Sequence, residues 1–248
     1  MSAPAQAGRA VAAMTAMELR LTARRGENLL VTIVIPTVVL LFFASVAVLP
    51  TPGRPVDFLL PGSLALAVIA TSFVNLGIAT AYERHYGVLK RLGGSPLTRG
   101  GLLTAKILAV VAVELLEVAL LVLIAAAVLG WRLPPGAPVA LVAMGLGLGT
   151  LAFAGLGLAM AGALRAEATL ALANGLFLAF LLLGGIVLPV DHLPAPLAAL
   201  AGVLPAASLA DLFRIALGAG GDLIRPIVVL GSWAVGAVAV AARTFRWD

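Results

Sequence analysis

Glu114 and Glu117 stand three residues apart inside the apolar run Leu102–Leu129. On a helix that spacing puts both carboxyls on one face. An ionised side chain at the centre of a bilayer costs about 2.5–3.5 kcal/mol on insertion scales, so such a residue faces a cavity or a partner. Three chemistries fit the pair: binding a cationic substrate, relaying protons, or sitting neutral and hydrogen-bonded in a helix interface. Asn75 and Asn174 lie in two other apolar runs. Their default chemistry is interhelical hydrogen bonding, worth about 1 kcal/mol each. Thr71 precedes Asn75 by one turn and extends a polar stripe toward a cavity. Glu114, Glu117, Asn75 and Asn174 are the candidate substrate pathway.

Other chemistry is poorly supported. His192 follows Asp191, but two candidate ligands without a third nearby make a weak metal site. Asp211 and Arg214, three apart, suit a surface ion pair. Both histidines, His85 and His192, fall in loops on opposite sides of the expected membrane, and no nucleophile-base pair stands out, so an intrinsic enzyme is not expected. No G-x-x-x-x-G-K-[ST] phosphate loop exists in the chain. The glycines Gly145, Gly147 and Gly149 have no strand before them and no Lys-Ser after. They are expected to admit close helix packing, in a seam continued by Gly155 and Ala159.

The one densely charged interruption is Ala81–Gly100, AYERHYGVLKRLGGSPLTRG. Read as one helix, it places Glu83, Gly87 and Lys90 on one face, flanked by His85 and Arg91. Gly87 would let another surface approach the backbone, and Pro96 would stop the helix after the loose Gly93-Gly94 exit.

The elements that hold these residues follow from composition. Of 248 residues, 62% are hydrophobic and 11% charged, where a soluble domain would be about a quarter charged. Such a chain cannot cover itself in water, and the bilayer must be its solvent. There is no cysteine, which excludes disulfides and thiolate metal sites. The net charge of +5 is ascribed to positively charged loops at one membrane face, with no nucleic-acid partner. The first apolar run exceeds signal-peptide length, so no cleavable signal is expected.

Six spans of about 20 residues are expected: 29–49 with Pro36 inside it, 58–81, 102–129, 138–164, 168–188 and 223–242. With the N-terminus inside, the cytoplasmic segments hold Arg9, Arg20, Arg24, Arg25, Arg84, Lys90, Arg91, Arg99, Lys106, Arg165, Arg243 and Arg246, against Arg54, Arg132, Arg214 and Arg225 outside. This bias puts both termini and the 82–101 loop in the cytoplasm. Val11, Met14, Met17 and Leu21 recur at helical spacing, as in an amphipathic helix lying in the inner interface within a separate N-terminal segment, 1–28. Between 189 and 222, prolines at 189, 194, 196 and 205 forbid a continuous span. A broken re-entrant hairpin or a compact external cap is expected there.

The order Glu83-Arg84, Gly87, Leu89-Lys90, Ser95-Pro96-Leu97 and Ala105-Lys106 resembles the cytoplasmic loop of type-2 permeases of ATP-binding-cassette exporters, the daunorubicin-type multidrug permeases among them. The six-span order and the closing Phe245-Arg246-Trp247 are similar as well. At His85 and Val88 the chain departs from the acid and the threonine common in that family. The resemblance implies an all-α permease whose loop residues Glu83, Arg84, Gly87, Lys90, Arg91, Pro96 and Leu97 form a coupling helix. That helix would dock on a separate nucleotide-binding ATPase subunit, present in two copies and carrying the ATP and magnesium. It also implies a second permease, taken as another copy of this chain, and outward movement of a hydrophobic or amphipathic substrate by alternating access. Two rival readings stand beside it. One is an ion-coupled secondary transporter using Glu114 and Glu117, although no related halves are visible. The other is a non-transporting membrane scaffold.

Overall fold

The computed structural model describes residues 7–24, 26–46, 53–94 and 97–244, and among these it contains helices and no strand. Eleven α-helices follow in order: α1 Ala7–Arg24, α2 Gly26–Val46, α3 Pro55–Val68, α4 Leu76–His85, α5 Val88–Gly93, α6 Arg99–Val128, α7 Ala140–Ala163, α8 Ala166–Leu183, α9 Ala195–Ala201, α10 Pro205–Ala216 and α11 Ile224–Thr244. A π-helical segment, Ile69–Asn75, joins α3 to α4 without a break, so that Pro55–His85 forms one 31-residue span. Four further helices, α6, α7, α8 and α11, are long and apolar enough to cross a bilayer. The protein is an all-α membrane protein.

The first expected span is α2, 21 residues long, which continues through Pro36. Each span shows one face to its neighbours and the other outward. On α6, Leu102, Ala105, Ala109, Val113 and Leu121 are buried, while Leu108, Leu115, Leu116 and Leu123 are exposed. With the buried Glu117 included, three- and four-residue steps separate the set, the period of a helix with one packed face. The exposed leucines are the side left to lipid tails.

Contacts fix the ends of the bundle. At one end, called the loop face here, α1 lies against the start of α6, and Arg84 donates to the carbonyls of Gly162 and Leu164 at the end of α7. At the other, Arg54 donates to the carbonyls of Leu129 and Gly130, and Arg225 to that of Gly202. Arginine at a helix C-terminus satisfies carbonyls that have no partner within the helix.

The glycine-rich run of α7 packs closely, as expected, but against different elements along its length, Gly157 meeting the backbone of Phe73 and Gly77. A Cβ at Gly149 would fall 2.9 Å from Leu209, and one at Gly145 2.7 Å from Phe213, both on α10. Gly155 meets the backbone of α11 at Ala237 instead, at 2.8 Å. The 189–222 segment is a bent pair, α9 and α10, turned by 74°. Pro205 opens α10 at a position where its missing N–H has no intrahelical partner to lose. Leu209, Leu212 and Phe213 of α10 are fully buried, which places this short helix among the spans. Arg214 pairs with Asp211 at 2.8 Å, donates to the Gly185 carbonyl, and lies over the Phe58 ring at 4.1 Å.

The stripe on α1 differs from expectation by one member. Val11, Met14 and Leu21 turn inward, but Met17 is 48% exposed and Glu18 takes the inward place. A buried cation on α6 accounts for the exchange. Phe245, Arg246 and Trp247 lie outside the described residues, as do Arg25, Ser95 and Pro96.

Candidate functional site

The charged loop is two helices rather than one. α4 ends at His85, and Gly87 adopts φ +70°, ψ 15°, a left-handed conformation that ends one helix before α5 begins at Val88. Only glycine adopts that conformation without steric cost. The expected single face of Glu83, Gly87 and Lys90 is therefore not formed. Glu83 belongs to α4 and turns inward, while Lys90 and Arg91 project from α5 into solvent. Gly87 has open space around its Cα, so its role is the change of direction and not close approach. Replacing Gly87 by Val should cost about 1–2 kcal/mol and expose the Lys90–Arg91 bond. Faster tryptic cleavage there than in the wild-type protein is the readout.

Glu83 is 8% exposed, and its carboxylate accepts from Lys106 Nζ at 2.7 Å. Lys106 is 2% exposed and donates also to Glu18 of α1 at 2.8 Å. One cation thus ties three elements: α1, the end of α4 and the start of α6. With Arg84 bonded to the end of α7, the first two residues of the loop motif anchor it from behind. Leu89 is buried with Val11, Leu92, Leu97 and Leu102 in a small apolar cluster beneath α5. The outward surface is what remains: His85, Tyr86, Val88, Lys90 and Arg91, with Tyr86 67% exposed. Tyr82 stacks on Tyr86 at 6.0 Å between ring centroids, and His85 meets Tyr86 edge-on at 5.1 Å. The result is a short, rigidly backed helix with two cations on its free side and an exposed aromatic in the turn before it. Between α4 and the α7–α8 junction lies an open recess lined by Arg84, His85, Arg165 and Glu167.

Within the bundle, the four candidate pathway residues divide into two pairs. Glu114 and Glu117 are each 1% exposed. The Thr71 hydroxyl lies 2.9 Å from both oxygens of Glu117, and Thr150 of α7 donates to Glu114 Oε2. Thr32 of α2 also hydrogen-bonds Glu117. The two carboxyls therefore join α6 to α2, to the π segment and to α7. Asn75 and Asn174 meet elsewhere, in a side cavity of about 250 Å³ whose lining is otherwise mostly apolar: Ile35, Ala70, Val74, Ile78, Leu170 and Phe177, with Thr32. The Asn174 amide donates to the Leu170 carbonyl at 2.9 Å. Thr32 touches both groups of residues, lining the cavity and bonding Glu117.

His192 and Asp191 are 3.6 Å apart on an exposed turn, and no group of three metal-ligating side chains occurs among the described residues. The sequence reading missed the three-way tie at Lys106. A signal existed: Lys106 lies seven residues into a 30-residue apolar helix, where an unpaired ammonium would be costly.

The family model of the ABC-2 type transporters matches residues 9–217. No curated protein matches the chain.

Proposed function

This chain belongs to the ABC-2 type transporter family, and we propose that it exports an amphipathic substrate, driven by ATPase subunits that dock on α5. As a member it is the multi-pass permease subunit of an ABC transporter, and its ATPase is a partner protein. The family assignment favours this over an ion-coupled carrier or a scaffold.

The observation that carries the docking site is the exposed set Tyr86, Val88, Lys90 and Arg91, on α5 and the turn before it, held from behind by Glu83 and Arg84. An interface anchor needs an aromatic or a cation on a rigid support, and the helix with its preceding turn supplies both. Force applied to α5 passes through Glu83 and Lys106 into α6, and through Arg84 into α7. Two ATPase subunits, holding ATP and magnesium, would engage two permeases. The reading takes the second permease as another copy of this chain, with the loop face in the cytoplasm, as the basic residues favour. Residues 1–28 form the N-terminal segment and 29–248 the permease domain. Asn75 and Asn174 in their apolar cavity support a substrate with an apolar body and a hydrogen-bonding group, released outward by rocking of the bundle.

Charge reversal at Lys90 and Arg91 tests the docking. The double variant Lys90→Glu/Arg91→Glu should insert and melt like wild type yet lose co-purification with its ATPase and ATP-driven efflux. Full efflux in that variant would remove α5 as the coupling element.

A further inference from the structure

A narrow cavity runs beside the span carrying Glu117. One wall is α6, from Lys106 through Ala109 and Val110 to Val113. Facing it are Glu83, Ala79 and Asn75, stepping by four residues to Thr71. Glu18, Leu21 and Thr22 of α1 close the side at the loop face. The step after Val113 on the same helical face is Glu117, and Thr71 is already bonded to it. The slot therefore has an ionic end, Glu18–Lys106–Glu83, and a carboxyl end, Thr71–Glu117, about 16 Å apart along α6 at 1.5 Å per residue. Its volume of about 50 Å³ holds about three to five waters, at roughly 10–15 Å³ each. Asn75, Thr71 and the ionic end give those waters polar partners, which an apolar void of the same size would lack.

We propose that this slot is a water-filled proton entry connecting the loop face to the carboxyl of Glu117. A hydrated proton at the inner end passes to Thr71 Oγ1 as that hydroxyl hands its own proton to the Glu117 carboxylate. The hydroxyl is left neutral and the carboxyl uncharged. The charged and titratable groups around the route are Glu18 on α1, Glu83 on α4, and Lys106 and Glu114 on α6. The π segment, α2 and α7 present the neutral Thr71 and Asn75, Thr32, and Thr150 among the described residues. Glu114 is buried beside Glu117 and near Ser72 of the π segment, so a proton on Glu117 also relieves the repulsion between two neighbouring carboxylates.

The absence of cysteine allows a direct test, because one introduced thiol gives the only S–H infrared band of the protein. In the full chain in lipid nanodiscs, Val113→Cys places that thiol in the slot, and Ala152→Cys places it at a fully packed position of α7. Transfer to heavy water should convert the Val113→Cys band about tenfold or more faster than that of Ala152→Cys, since exchange at a packed site waits for an opening. Ala109→Cys is the second slot position, should Val113→Cys fail to fold. The carboxyl signal in the wild type minus Glu117→Gln difference spectrum should also follow a change of pH. Equal exchange at slot and packed positions, or a difference signal indifferent to pH, overturns the proposal.

Discussion

Replacing Lys106 by Met should destabilise the protein by about 3–5 kcal/mol, the usual cost of leaving a buried ion pair without its partner. Lys106 is the one cation between Glu83 and Glu18 among the described residues, and its loss strands two carboxylates against each other at the joint between α1, α4 and α6. Adding Glu83→Gln to Lys106→Met should recover a large part of that loss, since the repulsion is removed with the charge. Thermal melting of the two single variants and the double variant in nanodiscs gives the coupling energy by a double-mutant cycle. Additive losses would mean that the 2.7 Å pair contributes nothing. A Glu83→Ala variant should therefore lose stability by loosening the loop, whereas Lys90→Glu/Arg91→Glu should keep the wild-type melting temperature.

Gly155→Leu should be a strongly damaging glycine replacement on α7. A side chain there begins 2.8 Å from the backbone of Ala237 and Val238 on α11, and backbone cannot rotate away as a side chain can. Overpacking of this kind costs about 1–3 kcal/mol, and here it parts the two helices with the most extensive mutual contact. Gly147→Leu, two turns away on the same helix, is the internal comparison. Gly147 is exposed with no atom within 4 Å of its would-be Cβ, so that variant should melt like the wild type. Detergent-solubilised yield and melting temperature distinguish the two. Equal behaviour would show that the α7–α11 seam tolerates separation.

Fold class and span order were legible because apolar runs of span length and proline positions are local properties of the chain. Composition required a bilayer, the prolines between 189 and 205 ruled out a continuous span there, and the small residues of α7 marked close packing. What could not be read was which surface each residue meets. Gly145 and Gly149 look like partners for another long span, yet they hold α10, because packing partners are fixed by the tertiary fold. The face assigned to Glu83, Gly87 and Lys90 assumed a continuous helix. One glycine at positive φ is enough to cancel that assumption, and sequence spacing carries no mark of it. The loop motif did locate the two anchors, Glu83 and Arg84, without revealing that they point into the protein. Asn75 and Asn174 are nearly a hundred residues apart, so nothing local could have paired them in one cavity.

The π-helical turn at Ile69–Asn75 sets the phase of everything after it. A bulge of this kind takes in one residue beyond the α-helical count, and each residue advances the side-chain direction by about 100°. The second half of the span is thus rotated relative to the first. Phe58, Leu60 and Leu64 are packed on one portion of the span, and the set from Asn75 to Glu83 is re-aimed toward α6 on the next. Deleting a single residue from this turn would restore regular winding and swing Glu83 about 100° away from Lys106. Length within those seven residues, more than their identity, keeps both ends of the span in register.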